Sequence, residues 1–213
     1  MSAAAIHRLS RDPRLAALIK RVGSPRLDAE IDRRCSPYEA LMRAIAHQQL
    51  HGRAAQAILA RLIALYPATA FPDPEMVLRT PDTALRGCGF SPRKIASLRD
   101  ICAHTLNGTI PTRRDASRLS DAVLIERLTG IRGVGRWTVE MLLIFGLGRR
   151  DVLPVNDFGV REGYRALHGL AAQPKPRMLA EIGVAWAPYR SYAAWYLWRA
   201  AEEAKLVKAA PQA

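Results

Sequence analysis

The chain has 213 residues, 49% of them hydrophobic, and a formal net charge of +13 from 32 Lys and Arg against 19 Asp and Glu. That length and apolar content allow a sizeable core and exclude global disorder, and no run approaches the ~18 consecutive apolar residues of a membrane helix. Most of the basic residues are arginine, an excess that favours a polyanionic partner, because neutralised phosphates release condensed counterions.

Helix signals recur along the chain and strand signals are scarce. Met1 to His7 is a short apolar run with no basic start and no cleavage-type pattern, so an intracellular protein is expected. A first helix is predicted over 11–21. Ser36-Pro37-Tyr38-Glu39 reads as a helix start, with Ser as N-cap, Pro at N1 and Glu closing a capping box. Leu41, Met42, Ile45 and Ala46 then recur on one face. Further helices are expected over 53–65 and 73–80. Ser91-Pro92 opens the next, with Ile95, Leu98, Ile101, Cys102 and Leu106 as its buried stripe and Gly108 placed to stop it. The remaining periodic segments are 120–128, 136–146, 157–167, 176–184 and 189–204, and residues 209–213 read as a frayed end. Connections are short and carry turn residues, so the pattern predicts an all-α fold in one unit, any subdivision being a cleft within it. Cys35, Cys88 and Cys102 are too few and too scattered for a disulfide framework or a four-cysteine metal site, and are expected to pack.

Leu128-Thr129-Gly130-Ile131-Arg132-Gly133-Val134-Gly135-Arg136-Trp137-Thr138 lies between two amphipathic segments. Gly130, Gly133 and Gly135 permit positive φ and close backbone approach. A glycine turn running into a helix presents backbone N–H groups at a positive helix end, which suits a phosphate oxygen. Glycine spacing alone also fits a plain helix–helix turn; the basic chain and the acid downstream, Asp157, favour the phosphate-binding reading.

Together with Asp151-Val152-Leu153-Pro154-Val155-Asn156-Asp157-Phe158, this run resembles the hairpin, loop and Asp signature of the helix-hairpin-helix (HhH-GPD) superfamily of base-excision glycosylases. Within it, the chain is most similar to the alkylation-repair branch, DNA-3-methyladenine glycosylase II. Supporting matches lie at Arg43-Ala44-Ile45 with Gln48-Gln49, at Gly87 to Ile95, and from Pro188-Tyr189-Arg190-Ser191-Tyr192 to Trp195 and Trp198. The resemblance implies an all-α HhH-GPD fold of two helical subdomains around a DNA-binding cleft. Terminal helices (1–35 plus 150–213) would form one and central helices (36–149, with the hairpin at 128–138) the other. The 35 residues before Ser36 are too few for the extra N-terminal β-rich domain of the longer bacterial enzymes, so the compact form is expected. The four-cysteine run of other branches is missing, so no iron–sulfur cluster is expected.

The resemblance also implies roles. Asp157 would be catalytic: breaking an N-glycosidic bond builds positive charge on the sugar, which a carboxylate stabilises while it orients or deprotonates water. It could equally cap the helix that follows. In members that also cut the strand a lysine stands where this chain has Trp137, and no lysine occurs between Lys94 and Lys175. Base removal without lyase activity is therefore expected. The indole of Trp137 offers a stacking face for an extruded cationic base, with Trp198, Tyr38 and Met141 as further pocket candidates. Gln48, Gln49, Leu50 and His51 would form the turn that fills the vacated stack, with Gln49 or Leu50 as the plug and His51 in the minor groove. Gly133, Val134, Gly135, Arg136, Thr138, Arg132, Arg93 and Lys94 would add backbone or side-chain contacts to DNA. Carbonyls of Thr129, Ile131 and Val134 correspond to a monovalent-cation (Na+ or K+) site; no other cofactor is required.

The expected function is excision of alkylated purines, of the 3-methyladenine or 7-methylguanine type, from double-stranded DNA by a monomer without membrane association. The compartment would be the cytoplasm, at the nucleoid in a bacterium, or the nucleus in a eukaryote. Two rivals stand beside it: a non-catalytic module that binds damaged DNA, and a bifunctional glycosylase/lyase.

Overall fold

The computed structural model describes residues 3–50 and 52–209, and every regular element among them is helical. The chain divides into two compact units, one built from the segments up to Asp32 and from Leu143 onward, the other from Arg33–Leu142.

The first unit contains α1 (Ala3–Leu9), α2 (Pro13–Val22), α3 (Leu27–Glu30), α12 (Phe158–His168), α13 (Pro176–Gly183) and α14 (Arg190–Ala209). Asp12 caps α2, its Oδ1 accepting from the N–H groups of Arg14 and Leu15 at 2.9 and 3.2 Å, with Pro13 at the first position. Leu9, Leu15, Leu18, Tyr192 and Tyr196 are among its fully buried side chains. Helices α12 and α14 touch backbone to backbone at Gly163, where a Cβ would run into the Leu197 carbonyl.

The second unit holds α4 (Pro37–His47), α5 (Gly52–Ala64), α6 (Pro74–Arg79), α7 (Asp82–Gly87), α8 (Pro92–Leu106), α9 (Arg113–Ala116), α10 (Asp121–Thr129) and α11 (Arg136–Met141). Its core is largely the face read from the sequence: Leu41, Met42, Ile45 and Ala46 of α4 and Ile95, Leu98, Ile101 and Cys102 of α8 are buried. Leu106, expected in the same stripe, is 53% exposed because it ends α8 beyond the packed turns. Ser36 and Ser91 cap as expected, accepting from Glu39 and Lys94 N–H at 3.1 and 3.3 Å. Glu39 does not close the box; its carboxylate takes Arg43 at 2.9 and 2.6 Å instead.

Three departures from the predicted elements have physical causes. The segment expected over 73–80 is α6, but a second short helix absent from the predicted elements, α7, starts directly after Pro81, whose ring keeps the two from running on as one. Single-turn helices such as α3 and α9 are too short to show a period. The helix expected over 136–146 is α-helical only to Met141 and widens into a π-helical turn over Leu142–Gly146.

Candidate functional site

Asp157 opens α12. Its Oδ1 accepts from Val160 N–H at 2.8 Å and from the indole Nε1–H of Trp198 at 2.8 Å. The helix end and the indole of α14 together fix where this carboxylate points, so capping is compatible with a site role. The loop leading to it is clamped on the same helix. Asp151 accepts Arg190 Nε–H and Nη2–H at 2.8 and 2.9 Å, while the buried Ser191 Oγ donates to Arg149 O at 2.7 Å and accepts from Val152 N–H at 3.0 Å. Trp198 is stacked on Phe145, ring centroids 5.7 Å apart, and its indole is a near neighbour of Gly159. Phe158, directly after Asp157, is 71% exposed and lines a cavity of about 500 Å³ with Trp198, Glu162 and Arg199.

In the second unit, Gly130 to Gly135 connect α10 to α11 as the predicted hairpin. Only Gly133 has positive φ, +79°, and it packs on Ser97 and Ile45. Gly130 and Gly135 have φ of −70° and −88°, so neither is required by backbone conformation. A Cβ at Gly135 would meet nothing within 4 Å, and that open face leaves a ligand room to reach the α11 N-terminus. The turn is closed by Val134 N–H on Ile131 O at 3.0 Å and pinned by Arg132 N–H on Asp100 Oδ2 at 2.7 Å.

Several residues expected to meet DNA stand differently. The side chains of Val134 and Thr138 are buried and Val134 N–H is already engaged on Ile131 O, so of the two only the Thr138 N–H, in the first turn of α11, could serve a phosphate. Lys94 donates its ammonium to Ala46 O at 2.8 Å, and burial lowers its pKa; it holds the end of α4 rather than standing ready as a surface cation. Arg93 and Arg132 are exposed. Arg136 is held by Nε–H on Glu140 Oε1 at 2.9 Å, and that glutamate side chain is only 2% exposed. Gln48 donates its Nε2–H to Gly133 O at 2.9 Å. Gln49, with φ +57°, is the one non-glycine residue of positive φ among those described, and Leu50 beside it is exposed. His51 lies outside the described residues.

Trp137 is 49% exposed and lines a cavity of about 370 Å³ with Met141, Gln48, Gln49 and His47. Tyr38 is not in that wall: it is 8% exposed, donates its hydroxyl to Pro72 O at 3.0 Å and meets Phe71 edge-on. The structure makes it a core residue, because a buried phenol must find a hydrogen-bond partner. Among the described residues no cluster of three His, Cys, Asp or Glu could hold a metal, and no helix is long and apolar enough to cross a membrane.

Sequence reasoning did not find Phe145, Glu140, Asp100 or His47. Phe145 and Glu140 read as ordinary helix positions, and Asp100 and His47 matter only through contacts distant in the chain. Phe158 had a usable signal, its place next to the acid.

Comparison with known proteins matches residues 42–188 to the HhH-GPD superfamily base excision DNA repair protein model. The DNA-3-methyladenine glycosylase 1 of Schizosaccharomyces pombe is 45% identical over 208 residues, 98% of this chain and 91% of the relative. A solved structure of an S. pombe 3-methyladenine DNA glycosylase (Mag1), in complex with abasic DNA, superposes with a TM-score of 0.83 at 46% identity, covering 92% of this chain and 96% of that one. A DNA-3-methyladenine glycosidase from Bacillus halodurans gives 0.83 at 34% identity, over 96% and 92% of the two chains.

Proposed function

The chain belongs to the HhH-GPD superfamily of base excision DNA repair proteins, and from that premise we propose that it is a monofunctional DNA glycosylase. It flips alkylated purines out of duplex DNA and hydrolyses their N-glycosidic bond to leave an abasic site. The observation that carries the reading is Asp157, a carboxylate aimed by two N–H donors at 2.8 Å each, in a chain 45% identical to a DNA-3-methyladenine glycosylase.

The C1′–N bond breaks and the purine leaves with the electron pair. A 3- or 7-methylated purine is cationic, departs neutral and needs little general acid. Positive charge builds on the sugar as it goes, and the carboxylate of Asp157 stabilises that charge. Water then bonds to C1′ and gives its proton to the carboxylate. The half-exposed indole of Trp137, beside a cavity of about 370 Å³, supplies an electron-rich face for a cationic base. Trp137 stands where a lyase lysine would be, which supports hydrolysis without strand cleavage.

The hairpin N–H groups and the exposed Arg93 and Arg132 grip the phosphates. The carbonyl of Thr129 ends α10, where helix carbonyls lack intrahelical donors, and those of Ile131 and Val134 lie in the turn before α11. Ile131 O accepts one N–H and keeps a second lone pair, so the set fits a monovalent cation. Held by these carbonyls, such an ion would supply positive charge that favours a phosphate at the hairpin. No organic cofactor or iron–sulfur cluster enters the reaction. The protein acts as a monomer in the compartment that holds the DNA.

Release of 3-methyladenine and 7-methylguanine from methylated DNA is the test, for the wild type and for Asp157→Asn. Asparagine still caps a helix, so folding and DNA binding should survive while excision is lost. Binding without base release by the wild type would sink the enzyme reading, and borohydride trapping of a protein–DNA adduct would sink the monofunctional one.

A further inference from the structure

We propose that Gln48 is a positioning residue that couples the phosphate-gripping hairpin to the turn that enters the DNA stack, rather than a residue that itself contacts DNA. The proposal rests on the glycosylase reading above. Its basis is the bond from Gln48 Nε2–H to Gly133 O at 2.9 Å, a side-chain link between the end of α4 and the hairpin turn.

Both ends of that link are constrained. On the hairpin side, Gly133 sits at φ +79° against Ser97 and Ile45, and its neighbour Arg132 is pinned through its N–H to Asp100 Oδ2 at 2.7 Å. The Gly133 carbonyl is thus a fixed point. On the other side, Lys94 Nζ donates to Ala46 O at 2.8 Å, which fixes the last turn of α4 just before Gln48. Gln49 comes next, held at φ +57°, a strained conformation for a non-glycine residue that persists only where surroundings over-determine it. Gln48 is the residue whose side chain supplies such a constraint. One Nε2–H is committed to the carbonyl, and that bond ties the amide to the hairpin. Exposed Gln49 and Leu50 follow directly and present the wedge.

Docking of the hairpin on a phosphate would accordingly set the height and angle at which Gln49 and Leu50 meet the base stack. Without the bond the hairpin still binds, but the wedge arrives with a distribution of poses. Base extrusion should suffer while phosphate binding does not.

The variant is Gln48→Met, close in length and without the donor, in the full chain. Extrusion is read as fluorescence of a 2-aminopurine placed beside a tetrahydrofuran abasic analogue. Excision is read as single-turnover release of 7-methylguanine, and affinity is measured on undamaged duplex. Loss of one hydrogen bond predicts about a tenfold fall in extrusion and excision, with affinity for undamaged duplex and its salt dependence unchanged. A parallel loss of that affinity would show a direct DNA contact and overturn the proposal. So would unchanged extrusion. If the wild type extrudes the probe but releases no base, the glycosylase reading fails while the extrusion comparison still decides the role of Gln48.

Discussion

Trp198 donates its indole N–H to Asp157 Oδ1 at 2.8 Å, so the ring expected to wall the base pocket is also the group that aims the carboxylate. Trp198→Phe keeps a ring against Phe145 and removes the donor. Excision of 7-methylguanine under single turnover should fall roughly tenfold or more, the scale of a hydrogen bond to a charged group, with little change in duplex affinity. An unchanged rate would show that Val160 N–H alone suffices.

Salt dependence separates the basic residues. Arg93→Gln and Arg132→Gln should each reduce the slope of log K against log salt by about 1, the effect of losing the one phosphate contact proposed for each. Lys94→Gln should leave the slope alone, because its ammonium is committed to Ala46 O. Titrations on one duplex at several salt concentrations make the comparison. A reduced slope for Lys94→Gln would mean that its ammonium leaves Ala46 on binding.

Packing of α12 on α14 has no slack at Gly163. Gly163→Ala drives a methyl into the Leu197 carbonyl, and should destabilise by about 3 kcal/mol, the upper end for overpacking. A urea midpoint equal to that of the wild type would contradict the contact.

Ser191→Ala leaves the buried Val152 N–H without its acceptor, at a cost of about 1–3 kcal/mol. The loop it clamps leads to Asp157, so excision should fall further than the loss of folded protein explains. Activity per folded molecule, with the folded fraction taken from circular dichroism, tests this.

Burial pushes the Cys102 thiol up to about 11 from 9.0 and the Tyr196 phenol up to about 12 from 10.0. Both lose their protons more readily in the unfolded chain, so their stabilisation is complete below pH 9. It is lost as pH rises, for Cys102 between pH 9 and about 11 and for Tyr196 between pH 10 and about 12. Cys102→Ala should flatten the first part of the decline in unfolding free energy, and an unaltered slope would refute the assignment.

Much of the fold was legible because helix starts are written locally. Ser36-Pro37, Ser91-Pro92 and Asp157 carry cap and first turn within four residues, and the structure places a helix at each. Helix-period stripes then located the cores of α4 and α8. The hairpin and its acid were legible as a motif, but what surrounds them was not. An aromatic residue in sequence announces area and says nothing of where its N–H points, so the Trp198 bond to Asp157 stayed hidden. The same limit applies to Tyr38, whose hydroxyl is satisfied by Pro72, a residue 34 positions away. Lys94 and Gln48 read as polar surface because their carbonyl partners leave no side-chain signal.

The π-helical turn over Leu142–Gly146 also sets angular phase. An α-helix advances about 100° per residue, and a wide turn accommodates residues that a regular helix would carry past their partners. Phe145, inside it, faces Trp198, which in turn holds Asp157. Were the same residues wound as a regular α-helix, at about 100° each, Phe145 would be carried past that ring. The irregular turn therefore works as an indexing step, and the aim of a carboxylate twelve positions downstream of Phe145 depends on a helix being locally out of register.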